Sequence, residues 1–153
     1  MRGGDLGMMN RKENVEKQLS AKLTWKGGVC SEVKMGHHVI IIDSGKEEGG
    51  NDLGPAPTET FLAALGACLM TNISRIGQKM RLGLKSVTME INGTKEYNEH
   101  PASFVELNVN VSIESVTKDR EKLERLVKLA EENCTVSNTL KNAVAPSISV
   151  AVA

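Results

Sequence analysis

The chain has 153 residues, with 19 basic and 19 acidic side chains and a formal net charge of zero. That is room for one ordinary domain, which would bury roughly 70% of its unfolded surface and needs no disulfide framework. The charge balance argues against a nucleic-acid module with a basic face, and an aromatic content of 3% argues against base-stacking platforms and aromatic cages. Low net charge also gives little repulsion between copies, which suits a chain that self-associates.

Residues 1–18 read as a flexible N-terminal leader and 19–153 as a single domain. The start, Met1-Arg2-Gly3-Gly4-Asp5, lacks the apolar core of a signal peptide. The longest strongly apolar run, Phe61 to Met70, is too short to span a bilayer. A soluble cytoplasmic protein, with neither a membrane nor a nucleic acid as partner, is the expectation. Leu19, Ala21, Leu23 and Trp25 then alternate with Ser20, Lys22 and Thr24. Gly27-Gly28 marks a turn, Val29, Val33 and Met35 a returning strand, and Val39 to Ile42 a third strand after Gly36. The pattern predicts an antiparallel meander.

Asp43 to Pro57 is rich in Gly, Glu, Asp and Pro and reads as an exposed loop. Leu62, Leu65, Leu69, Ile73, Ile76 and Met80 recur at three- and four-residue steps, the period of a helix. Its first half is apolar or small at nearly every position and is expected to be buried all round, with Gly83 placed to stop it. At ~22 residues and ~33 Å it is the central element. Val87, Met89 and Ile91, then Val105 to Ile113, show the alternation of strands, connected through 93–102 with Gly93 and Pro101. Thr117 to Glu132 is amphipathic, with Leu123, Leu126, Val127 and Ala130 inward. Thr135 to Val144 offers one or two further helical turns, and Ile148, Val150 and Val152 a final strand. The order β-β-β, long α, β-β, α, short α, β has the character of an α+β fold.

Three cysteines without a secretory signal read as free thiols. Cys68 lies in mid-helix, either as a small filler where another element packs on Gly66 or as a reactive thiol. A mid-helix thiolate gains little from the macrodipole, so it needs a cation from elsewhere; Arg75, two turns on, is one candidate. Cys134 stands where one helix ends and the next begins, as a cap or as a thiolate facing free N–H groups. Together they suggest a peroxidatic and a resolving thiol, because a sulfenic acid condenses with a neighbouring thiol. Cys30 reads as a bystander on the polar phase of its strand. His37-His38 with Cys30 match no zinc spacing and read as turn residues, so no metal or cofactor is expected.

The segment Gly54-Pro55-Ala56-Pro57-Thr58-Glu59-Thr60-Phe61-Leu62-Ala63-Ala64-Leu65-Gly66-Ala67-Cys68 resembles the central helix motif of the OsmC/Ohr family, the osmotically inducible and organic hydroperoxide resistance proteins. The block Ala130-Glu131-Glu132-Asn133-Cys134-Thr135-Val136-Ser137-Asn138-Thr139-Leu140 resembles that family's resolving-cysteine motif. The resemblance implies an OsmC-like fold, antiparallel sheets around a long central helix, in an intertwined homodimer with sites at the interface. It implies Cys68 as peroxidatic and Cys134 as resolving residue, reducing organic hydroperoxides at the expense of a thiol reductant such as dihydrolipoamide, in defence against oxidative stress. The alternatives are a non-catalytic protein that binds a hydrophobic small molecule and a cysteine redox sensor. Active members carry an acidic residue ten positions before the first cysteine, where this chain has Thr58, and an arginine in the early strands, where it has none between Arg11 and Arg75. Glu59, nine before, would replace the acid only if the helix began after it, since nine residues on a regular helix lead to the opposite face. Lys26, Lys34 or the His37-His38 pair of a partner subunit would have to replace the arginine. The pattern resembles the OsmC-like branch more than the dedicated hydroperoxide reductases.

Overall fold

The computed structural model describes residues 16–97 and 102–151. Strands β1 (Lys22–Gly27), β2 (Cys30–Met35) and β3 (His38–Ile42) form the expected antiparallel meander, with Leu23 opposite Val33 and Val33 opposite Ile40. Helix α1 (Pro57–Lys79) follows, then a second sheet of β4 (Leu84–Glu96) and β5 (Ser103–Ser115), and helices α2 (Arg120–Glu132) and α3 (Thr135–Lys141). Most of the leader lies outside the described residues.

The loop after β3 is built around one buried side chain. Asp43, 1% exposed, accepts hydrogen bonds at Oδ2 from the backbone N–H groups of Asn51 (3.0 Å) and Leu53 (3.2 Å). Its own N–H donates to the Pro55 carbonyl at 3.1 Å. The loop is therefore stitched down where the sequence reads as merely exposed, and it delivers Pro57 to the first turn of α1, where a missing N–H costs nothing.

Helix α1 buries Leu65, Gly66, Leu69, Ile73 and Gly77. Against Ile73 pack Leu82, Leu126 and Ala130, ringed by Ile76, Met80, Val87, Met89 and Ile113. Leu126 is fully buried, a contribution of about 2 kcal/mol. Two glycines permit these approaches: a Cβ at Gly66 would lie 2.5 Å from Ile91 Cδ1, and one at Gly77 2.5 Å from Leu84 Cδ1. With its 23 residues α1 has the length and apolarity to cross a membrane, yet its buried face is packed like that of a core helix.

Four expectations need correction. The first half of α1 is not covered all round: Ala63, Ala64 and Ala67 are exposed, because β4, β5, α2 and α3 together enclose only one side of it. The helix stops at Lys79, ahead of Gly83, with Arg81 itself taking a positive φ of 55°. Gly93 is no turn residue but lies within β4 opposite Leu107, and its missing side chain makes room for the Phe104 ring, stacked on Phe61 with centroids 5.6 Å apart. The expected last strand is unpaired over its described residues: Ile148 and Val150 are more than 80% exposed, since no strand lies alongside to accept the segment.

The backbone N–H of Ser44 lowers the Asp43 carboxyl pKa, with burial acting against it and the Asn51 and Leu53 N–H groups adding to it. A depressed folded pKa stabilises the protein above the unfolded carboxyl's pKa and ceases to do so as pH falls through the folded one. Asp43→Asn should thus lower Tm at pH 7, with the gap to wild type closing below about pH 4; thermal melts across pH 3–7 would show it.

Candidate active site

The α2–α3 elbow sets a cysteine against the middle of α1. Asp119 caps the start of α2, its side chain accepting the Lys122 N–H at 3.2 Å. The helix ends at Asn133, and Cys134 is the N-cap of α3. In that place its sulfur does what a serine oxygen often does, accepting the Ser137 N–H at 3.3 Å. The elbow is braced by Asn138 Nδ2 donating to the Glu132 carbonyl (2.9 Å) and by Lys141 paired with Glu131 (2.6 Å). Cys134 is fully buried against Leu65 and Leu69, and Cys68 packs against it. Both are free thiols.

Their electrostatics diverge. Burial raises the Cys68 pKa, but the thiol hydrogen bond from Cys134 and the backbone N–H groups of Val136 and Thr135 outweigh it, and the net shift is downward. At Cys134 burial acts first and the Cys68 sulfur second, and the shift is upward. The pair thus divides into a sulfur that more readily becomes thiolate and a neighbour that keeps its proton and donates it. Low pKa and partial exposure mark a nucleophilic cysteine, and Cys68 is the half-buried member.

In place of the expected cation, the Cys134 thiol first and backbone amides second lower the Cys68 pKa. Arg75 is exposed and is not among the groups that move the Cys68 pKa. The helix start that the sequence offers to Cys134 is shared: Ser137 N–H serves Cys134, Thr135 N–H serves Cys68, and Val136 N–H acts on both sulfurs. The signal, a helix beginning at Thr135, was legible; its direction toward α1 was not.

Glu59 lies apart from the cysteines within the chain. Helix α1 begins at Pro57, before Glu59, so the late start that would turn its carboxylate toward Cys68 does not occur. Its Oε2 accepts the Ala56 N–H at 2.8 Å, closing the first turn, about 13 Å along the axis from Cys68. Cys30 keeps its polar phase on β2 but is buried, not exposed as that phase would suggest. His37 and His38 lie side by side at the β2–β3 turn, their rings tilted 42° to each other with centroids 3.9 Å apart. Behind Cys134 an apolar cavity of about 380 Å³ is lined by Leu65, Leu69, Met89, Leu107, Val109 and Leu140, with the Glu131–Lys141 pair at its edge.

Comparison with known proteins finds relatives for the sequence and the fold. A family model described as OsmC-like protein matches residues 49–149. An OsmC-like protein of unknown function from Vibrio cholerae shares 21% identity, over 81% of this chain and 94% of that one, with a TM-score of 0.72. An OsmC-like protein from Mycoplasma pneumoniae is 16% identical over 83% and 89%, TM-score 0.74. An organic hydroperoxide resistance protein from Elizabethkingia anophelis is 22% identical over 84% and 91%, TM-score 0.66. No curated protein matches the sequence.

If the Cys134 thiol is the donor that lowers the Cys68 pKa, Cys134→Ala should move the Cys68 titration to higher pH. Cys134→Ser, which keeps a donor, should move it less. The pH dependence of iodoacetamide alkylation at Cys68, read by peptide mass spectrometry, distinguishes the two.

Proposed function

This chain belongs to the OsmC-like protein family, and on that premise we propose that it reduces organic hydroperoxides through Cys68 and Cys134. The observation that carries the reading is the contact between a half-buried thiol of lowered pKa and a buried thiol of raised pKa. The Cys68 thiolate attacks the outer peroxide oxygen; the S–O bond forms as the O–O bond breaks, and the alcohol leaves with a proton. The Cys134 sulfur then attacks the sulfenic sulfur, the S–S bond forms, and water leaves. A dithiol such as dihydrolipoamide restores both thiols by exchange and is itself oxidised to its disulfide. A cytoplasmic setting and a part in defence against oxidative stress fit this chemistry. Glu59 could contribute to it only across an interface between copies.

Assembly as a homodimer belongs to the same reading. On the first sheet Leu23 (60% exposed), Trp25 (74%) and Ile40 share a face around the buried Val33, and among the described residues no helix and no strand of the second sheet packs extensively on this sheet. The exposed Ala63, Ala67 and Thr71 of α1 form a second uncovered surface, of small residues four apart on the helix. An apolar face of this kind is expected to be covered. Sedimentation should give a dimer, and Trp25→Glu should shift it toward monomer while leaving the helical circular dichroism of the chain in place.

The cavity behind Cys134 favours one second reading, a hydrophobic small molecule bound without turnover. One experiment separates the two. Reduced protein is given one equivalent of cumene hydroperoxide and mapped by peptide mass spectrometry, with dihydrolipoamide turnover followed in parallel. A Cys68–Cys134 disulfide with sustained turnover is the expected result. In Cys134→Ser the oxidation should stop at a sulfenic acid on Cys68. A disulfide without turnover would instead fit a redox sensor, and unselective oxidation that includes Cys30 would sink the pairing.

A further inference from the structure

Asn72 stands one turn beyond Cys68 on the same face of α1. Its Nδ2 donates to the Asn133 carbonyl at 3.0 Å and to the Ala130 carbonyl at 3.4 Å. Both acceptors lie at the end of α2, where carbonyls have no partner within their own helix. Both are oxygens, so the amide nitrogen must be the atom that faces them. Asn133 directly precedes Cys134. The other side-chain hydrogen bonds of the elbow, from Asn133, Asn138 and Lys141, run within α2 and α3. Among the described residues, the polar side-chain links between the elbow and α1 are Asn72 and Cys68, the latter facing the Cys134 thiol and the Val136 and Thr135 N–H groups.

We propose that Asn72 is a positioning residue for disulfide closure: by holding the end of α2 on α1 it keeps the Cys134 sulfur over Cys68. The inference deepens the peroxidase reading and rests on it for its physiological role, while the geometric claim stands without peroxide. Asn72 hydrogen-bonds to neither sulfur. Its work falls in the second step, in which the Cys134 sulfur displaces the sulfenic oxygen of Cys68 as water and the S–S bond forms. That step demands a disulfide geometry held to within about an ångström between Cβ atoms, and one amide spanning two carbonyls restricts the hinge between the elements that carry the sulfurs. The first step, attack of Cys68 on peroxide, draws on the elbow only through the Cys68 pKa, which the Cys134 thiol and the Val136 and Thr135 N–H groups lower, so above that pKa it proceeds without the Asn72 link.

Two substitutions test this. Asn72→Asp has nearly the same shape, but once ionised it sets a negative charge against two carbonyl oxygens and donates nothing. Asn72→Ala removes the link, and Asn72→Gln keeps a donor as the conservative control. The readout independent of peroxide is the effective concentration of Cys134 at Cys68 in a glutathione redox buffer. It should fall about tenfold in Asn72→Ala and further in Asn72→Asp, and recover partly in Asn72→Gln. With cumene hydroperoxide, at a pH where Cys68 is fully ionised in every variant, sulfenic acid at Cys68 should form at the wild-type rate and accumulate as a dimedone adduct, because closure is slow. Unchanged effective concentration in both variants overturns the proposal. So does an equal loss in both steps that tracks a fall in Tm, which is the behaviour of a residue that merely stabilises the fold. Should wild-type Cys68 form no sulfenic acid at all, the peroxidase reading fails, and the glutathione measurement still decides whether Asn72 positions the pair.

Discussion

The site depends on one packing event, the landing of the α2–α3 elbow on the middle of α1. Leu126 and Ala130 anchor α2 through the core around Ile73, and Cys134 comes down on Leu65 and Leu69. Those partners are spaced along a single face of α1, so the core and the site share one surface. The second sheet supports the arrangement from beneath, with Met89 reaching both clusters. The glycines at 66 and 77 set the depth of the packing, because side chains there would meet Ile91 and Leu84.

That landing also makes the chemistry asymmetric. Two cysteines of the same intrinsic acidity are divided by what each faces. Backbone N–H groups face both sulfurs, but Cys68 also collects the Cys134 thiol as a donor, while Cys134 lies deeper and faces a sulfur that attracts its proton. Backbone amides make an economical device here, since they carry no desolvated full charge into an apolar pocket. It also accounts for a site whose described residues place no arginine beside Cys68.

Other parts of the chain leave apolar surface exposed within the single subunit. The first sheet leaves Leu23 and Trp25 exposed on an apolar face around the buried Val33, and α1 exposes small residues over its first half. A lone three-stranded sheet with one apolar face gains little from burial by itself. Its strands are nonetheless well registered, and the loop leaving it is clamped by Asp43. Burial of that face between copies would connect the sheet energetically to the helix that holds Cys68.

Periodicity alone determined much of this protein. The meander, the long helix from Pro57, the paired strands and the amphipathic α2 were all legible, because alternation and three-to-four spacing are local consequences of which face meets a core. The two cysteine motifs, with the family they indicate, were equally plain in the chain. Tertiary structure decided the rest, for reasons no local pattern carries. Cys68 and Cys134 are 66 positions apart in sequence, and their contact follows from how deeply α2 packs on α1. Glu59 reads as an acid near the site, but the start of α1 at Pro57 commits its carboxylate to Ala56. Asn72 reads as an ordinary polar residue on a helix, and its role exists only because two carbonyls at the end of another helix arrive beside it. The last alternating segment shows the converse: Ile148 and Val150 have the pattern of a strand, but a strand needs a neighbour to supply its hydrogen bonds, and the described chain sets none alongside.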